Sequence, residues 1–470
     1  MPVIAGWLVP HPPLIFPEVG QGRQDDIAAT VEAYRVMASE VAAEAPDLIV
    51  VVSPHSHMYA DYIHVSPGKG AEGDMRQFGV RGVNIKAAYD AEFAEALALE
   101  CAAEDLPAGT LGERDSALDH GTSIPVRYIN EAFEAKGSGT PPPRYIRAGV
   151  SGLPLSEHYR FGQMIARTAE KLGRKTVVTA SGDLSHKLAD KGPYGYAPEG
   201  PEFDKLICET ARDGDFSRLF DMEGAFCEQA GECGHRPLVV MAGALDRKAV
   251  DSKLYSYEGP FGVGYAVASF IVKGEDAGRN FLDRYLEAAL DRASKRREGE
   301  SPHVALARQT VENYVKTGRM YKNPEPLPEE LAQERAGVFV SIKKYGELRG
   351  CIGTITSVTG CIGEEIRANA VSASTRDPRF DAISEDELPF LEYSVDVLAP
   401  SEPVESADDL DPSRYGVIVS LGGKRGLLLP DLEGIDDAET QVSIAMRKAG
   451  IAERDRERVK LERFEVIRHR

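Results

Sequence analysis

From the N-terminus to about residue 273, short runs of β-branched and other apolar residues alternate with longer amphipathic segments. That alternation predicts a sheet covered by helices. Strands are expected at Val3–Val9, Leu48–Ser53, Tyr62–Val65, Val83–Ala87, Tyr145–Val150, Thr176–Ala180, Ser252–Tyr257 and Gly264–Val272. Helices are expected at Gln24–Glu44, Ala91–Glu104, Glu157–Leu172, Glu202–Arg212 and Pro237–Leu245, and the Gly/Ser/Pro-rich Lys136–Arg144 reads as a loop. After a polar stretch, two helical segments (Phe281–Arg297 and Pro302–Thr317) and a Pro-rich connector (Asn323–Pro328) lead into new strands. These are Val338–Lys343, Glu392–Leu398, Val417–Leu421 and, past a turn at residues 422–424, Gly426–Leu429. The expected domains are 1–273 and 300–470, joined by a linker and helix over 274–299.

Four histidines follow predicted strands: His11 in Val-Pro-His-Pro-Pro, His55 in Ser-Pro-His-Ser-His, His120 in Leu-Asp-His-Gly and His186 in Ser-Gly-Asp-Leu-Ser-His. The chain has 10 histidines, so four at such positions suggest one shared site. Ligands of open α/β sheets bind beyond the carboxyl ends of the strands. Imidazole both ligates iron or zinc and transfers protons near neutral pH. Two histidines and a carboxylate make the facial triad of non-haem Fe(II) oxygenases, with positions left open for substrate and oxygen. His11 and His55 are the natural pair, and Pro10, Pro12 and Pro13 stiffen the first loop. Glu232, in Gly-Glu-Cys-Gly-His-Arg-Pro, is the first choice of carboxylate, with Cys233 as a thiolate alternative suited to softer metals. His57 could replace His55 or support it. His120 and His186 are left for proton transfer, with Asp119 and Asp183 placed to orient their rings; Asp183 could equally cap a helix.

Charge and composition narrow the function. The net charge of −20, with 75 acidic against 55 basic residues, argues against a nucleic-acid partner. No apolar run approaches the roughly 20 residues that span a bilayer, so no membrane partner is expected. The N-terminus lacks the basic start of a signal peptide, and the six cysteines fit no disulfide or CxxC pattern. A cytoplasmic setting is the expectation.

The histidine motifs resemble the LigB superfamily of class III extradiol ring-cleaving dioxygenases and its relative Memo. The resemblance covers residues 1 to about 273 and rests on Pro-His-Pro-Pro, Ser-Pro-His, Asp-His-Gly and Gly-Asp-Leu-Ser-His. It implies an α/β domain with a helix-flanked sheet, and Fe(II) held by His11, His55 and a late glutamate. Another divalent metal or copper would be an alternative occupant. It further implies that His186 is the acid/base and His120 its partner, on a small aromatic, catecholic substrate with O2. Homodimer formation is implied as well. The loop at residues 232–237 departs toward Memo, which presents a cysteine there.

Residues 300–470 resemble the AMMECR family, a smaller α+β domain, through Leu348-Arg349-Gly350-Cys351-Ile352-Gly353 and Arg376-Asp377-Pro378-Arg379-Phe380. Arg349 and Arg379 could grip a carboxylate or phosphate in bidentate fashion, and Cys351 between them could carry a depressed thiol pKa. The fusion resembles the AmmeMemoRadiSam arrangement, which implies a radical-SAM protein as partner. An oxidoreductase is the expected class. The rival is a Memo-like metal-binding protein that cleaves no ring.

Overall fold

The apolar runs of the first 273 residues form a sheet in the computed structural model. β1 (Val3–Val9), β2 (Leu48–Val52), β3 (Arg144–Ala148), β4 (Thr176–Ser181), β5 (Lys248–Glu258) and β6 (Tyr265–Glu275) pair in the order β3-β2-β4-β1-β6-β5. The structure describes residues 2–114, 117–137, 142–222, 224–323, 325–432 and 434–470. Residues 138–141 of the expected loop and residue 324 of the expected connector therefore lie outside the described residues.

The strands β1 to β4 run parallel, while β6 is antiparallel to both β1 and β5. β2, Leu-Ile-Val-Val-Val, is buried at every residue, as a parallel strand covered on both faces must be. On one face Trp7, Ile49, Val51 and Val177 pack with Tyr34, Met37 and Val41 of helix α1 (Ala28–Glu44) and with Ile129 and Phe133 of α2 (His120–Ala135). Gly6 points the opposite way from Trp7 and lies against Met241 and Leu245, so α4 (His235–Ala244), backed by α3 (Leu155–Leu172), covers the other face.

Sheet register decides where the site can be. Val9 pairs with Ser181 and Val52 with Ala180, so the adjacent strands β1, β4 and β2 end at one level. The three loops that leave them carry His11, His186 and His55.

α2 is a helix the hydrophobic pattern did not predict. Pro125 lies inside it, where proline removes a backbone donor and usually breaks a helix. The helix survives because Ile124, Val126, Ile129 and Phe133 are buried and Asp119 caps its start by accepting the Thr122 N–H at 2.9 Å.

The chain divides within the helix Phe281–Gly299: the first unit ends at Tyr285 and the second runs from Leu286 to Arg470. The described residues of the second unit form two antiparallel sheets. One has the order β8-β7-β9-β14, from β7 (Gly337–Lys344), β8 (Glu347–Gly353), β9 (Leu391–Leu398) and β14 (Val466–His469). The other has the order β10-β13-β11-β12, from β10 (Glu402–Val404), β11 (Gly416–Leu421), β12 (Lys424–Leu428) and β13 (Lys460–Phe464). Val338, Val340 and Ile342 of β7 pack with Val304 and Ala307 of α5 (Pro302–Thr317) and Ile366 and Ala370 of α7 (Ile362–Thr375). Between those helices in sequence is the short α6 (Glu329–Gln333), and α8 (Ala438–Lys448) covers β11 and β12. No helix of the described residues is long and apolar enough to cross a membrane.

Candidate metal centre

His11 stands two residues past β1 and is 2 % exposed. Its backbone N–H donates to Asp183 Oδ1 at 2.7 Å, which ties the β1 loop to the β4 loop. Burial raises the Asp183 carboxyl to about 7, and the His11 N–H opposes that rise. Asp183 thus neither orients His186 nor caps a helix.

The His11 ring is held by a relay that begins at Pro125. Because proline has no N–H, the carbonyl of Gly121 four residues earlier has no helical donor. Ser181 Oγ donates to that carbonyl at 2.6 Å. With its proton so used, Ser181 accepts from His11 Nδ1–H at 3.1 Å. His11 Nε2 is left as a bare lone pair, the tautomer a metal ligand needs. It faces His55 Nε2 at 3.0 Å and Cys233 Sγ at 3.5 Å.

Nitrogen atoms of His11, His55 and His120 all lie within 4.8 Å of one another. Burial, followed by the neighbouring His55, His120 and His186, pulls His11 well below its ordinary value. Burial likewise lowers His55, and it lowers His120 and His186 to about 4. At neutral pH the cluster is a set of neutral imidazoles with converging nitrogens. The 3.0 Å contact of His55 Nε2 with the bare His11 Nε2 is met either by a proton on His55 Nε2 or by a cation held between the two rings. The donor set fits a divalent transition metal.

His186 projects from the β4 loop, stacks on Tyr194 with ring centroids 5.2 Å apart, and lies with Nε2 3.8 Å from Cys233 Sγ. His120 opens α2 directly after its cap; Asp119 also accepts from Ser53 Oγ at 2.6 Å. His57 lies on the cavity wall with its ring against His64 and outside the group of converging nitrogens.

The structure separates Glu232 from the histidines. Its carboxylate accepts the His235 N–H at 2.7 Å, capping α4, and groups with Cys227 and His235 instead. Both nitrogens of that third partner are engaged, Nδ1 with Cys227 Sγ at 3.4 Å and Nε2 with the Leu219 carbonyl at 2.8 Å. Cys233 takes the place beside His11 expected of Glu232. The cause is a close loop crossing: a Cβ on Gly182 would come within 2.2 Å of Gly234 Cα, so the Cys233 backbone reaches the β4 loop. There the Asp183 N–H donates to Cys233 Sγ at 3.3 Å. Burial, then Asp183 and Glu232, hold the thiol well above its ordinary pKa. A bound cation would have to displace its proton.

His55, His57 and His120 border a cavity of about 950 Å³ whose wall includes Asp74, Arg76 and Arg147. That volume suits a small organic ligand. The sequence motifs contain Ser181 and Gly121 but gave them no role, and Pro125 lies outside them. The available signal was a serine ending a buried strand and a proline five residues after Asp-His.

In the second unit the two arginines meet their own chain's carboxylates. Arg349 grips Glu387 through Nε at 3.0 Å and Nη2 at 2.9 Å, and Arg379 grips Asp377 at 2.9 and 2.7 Å. These contacts hold Glu387 and Asp377 at about 2, although burial opposes them. Cys351 does not have the expected depressed pKa. Burial pushes its thiol up, outweighing the Ser341 hydroxyl 3.2 Å away and the Arg379 charge.

Comparison with known proteins places these features in families. Residues 5–268 match the model of the catalytic LigB subunit of aromatic ring-opening dioxygenase, and residues 304–469 match the AMMECR1 model. Protein CA_C1420 of Clostridium acetobutylicum is 36% identical over 99% of this chain and 98% of its own length. A Thermotoga maritima protein is 49% identical over 37% of this chain and 99% of its own. Among solved structures, Escherichia coli JW3007 has 16% identity and a TM-score of 0.39, covering 57% of this chain and 99% of its own. Pyrococcus horikoshii PH0010 has 32% identity and a TM-score of 0.34, covering 35% and 88%.

Proposed function

The chain belongs to the LigB family of aromatic ring-opening dioxygenase subunits through residues 5–268 and carries an AMMECR1 domain over residues 304–469, and from that premise we propose a metal-dependent oxidoreductase. Its first domain acts as a non-haem Fe(II) dioxygenase of extradiol type on a catecholic or related small aromatic substrate. The observation that carries this reading is the convergence of neutral His11, His55 and His120 nitrogens beside a cavity of about 950 Å³. His11 and His55 hold the metal, and Cys233 stands where a carboxylate ligand was expected. Iron(II) supplies Lewis acidity toward the catechol oxygens and redox chemistry toward O2. His186, neutral at pH 7, takes the proton from a substrate hydroxyl. His120, also neutral, faces the cavity and positions O2 and substrate. The test is protein purified without oxygen, reconstituted with Fe(II) and assayed against a panel of catechols. A yellow ring-opened product, lost in His186→Ala, supports the reading. Iron bound equally well by the parent and by His11→Ala and His55→Ala removes it.

One observation favours a second reading. With Cys233 Sγ 3.5 Å from His11 Nε2 and Glu232 turned to cap α4, the donor set is softer than a facial triad. This suits a Memo-like protein that binds copper or iron, cleaves no ring and works with a radical-SAM partner. Metal bound without turnover across the panel selects it.

A further inference from the structure

A third group of metal-type donors lies in the second unit, far along the chain from the LigB motifs. His303 sits in the first turn of α5, Glu330 in the short helix α6, and His469 on β14 opposite Val395. Their donor atoms all fall within 4.8 Å of one another. The two imidazole rings stack at 3.7 Å between centroids and 13° between planes, and Glu330 Oε1 is 3.5 Å from His303 Nε2.

The hydrogen bonding of this group is incomplete. His303 is 4 % exposed, yet neither of its ring nitrogens has a hydrogen-bond partner, Nε2 having only the 3.5 Å contact with Glu330, and His469 Nε2 is buried and without a hydrogen bond as well. Leaving buried polar atoms without hydrogen bonds is costly, so three in one place call for a partner. Two imidazole rings and one carboxylate bring three metal-type donor atoms together there.

We propose that His303, Glu330 and His469 form a site for a first-row divalent cation, zinc in the first place, within the second unit. Zinc takes imidazole nitrogen and carboxylate oxygen at about 2.0–2.2 Å, which sets neighbouring ligand atoms roughly 3.3 Å apart around a tetrahedron. The His303–Glu330 separation of 3.5 Å is close to that. Coordination asks the partly exposed His469 ring to tilt off His303. Glu330, about half exposed, gives the ion its way in and leaves the fourth position to water.

The experiment is a calorimetric zinc titration of the chelator-stripped full-length chain, its His303→Gln variant and its Glu330→Gln variant. The expected result is one zinc equivalent lost in His303→Gln and the same equivalent weakened at least tenfold in Glu330→Gln. Equivalents held by the first domain stay unchanged in both. Glu330 is a surface residue, so its variant keeps the fold if His303→Gln does not. Identical stoichiometry and affinity in all three proteins, or no zinc bound by the parent, overturns the proposal and leaves a water-bridged histidine pair.

Discussion

At the residue scale, ligand chemistry is set by neighbours that are not ligands. Ser181 has one proton and gives it to Gly121, so it can only accept from His11. In Ser181→Ala the His11 ring loses that anchor and its preferred tautomer. Metal affinity, read by titration, is expected to fall about 10- to 100-fold while the fold persists. Gly121 leaves no room of its own, since a Cβ there would meet Ser53 Oγ at 2.4 Å and His11 Nδ1 at 3.3 Å. Gly121→Ala therefore should displace the His11 ring and lower stability by about 1–3 kcal/mol in a chemical melt. Glu232→Gln should leave metal affinity nearly unchanged while weakening the α4 cap, whereas Cys233→Ser should alter the spectrum of the bound metal.

At the element scale, His11, His55 and His186 and the strands that carry them were legible because apolar runs followed closely by Pro-His or Ser-His are local signals, whereas His120, expected past a strand, opens helix α2 instead. β1 appears with its expected bounds, and β2 and β4 differ by one residue at an end. α2 was hidden because Pro125 contradicts helix propensity, and only tertiary burial overrides that contradiction. The choice between Glu232 and Cys233 was not legible either. Adjacent residues point apart, and the contact of Gly182 with Gly234 that selects the cysteine joins segments about fifty residues apart. The role of Arg349 was hidden for the same reason, since Glu387 is 38 residues away in sequence. Pro125→Ala separates helix stability from site chemistry. The new N–H can bond Gly121 and compete with Ser181, so the melting temperature should hold or rise while metal affinity drops.

At the scale of the whole molecule, the two units answer to different conditions. Glu387 titrates at about 2 because Arg349 and Lys344 stabilise its charge. A carboxylate depressed when folded adds stability that is present above its unfolded pKa near 4.5 and is lost as pH falls toward 2. The second unit should therefore weaken over that acid range, followed by circular dichroism. Glu387→Gln leaves the half-buried Arg349 with the Asp381 carbonyl but without its carboxylate, and a loss of about 1–3 kcal/mol at pH 7 is expected. The first unit should respond to metal instead, its melting temperature rising with added Fe(II) in the parent and not in His11→Ala.

The two histidines that face each other across 3.0 Å differ in their access to solvent: His11 is sealed under the loops and His55 is exposed. For an ion held as proposed, that difference would make exchange one-sided. An incoming chelator would first free the ion from His55, while His11 would be the last bond to break and the first to re-form. The lifetime of such an ion would then follow how often the His55 loop opens, with the loops that bury His11 as the latch.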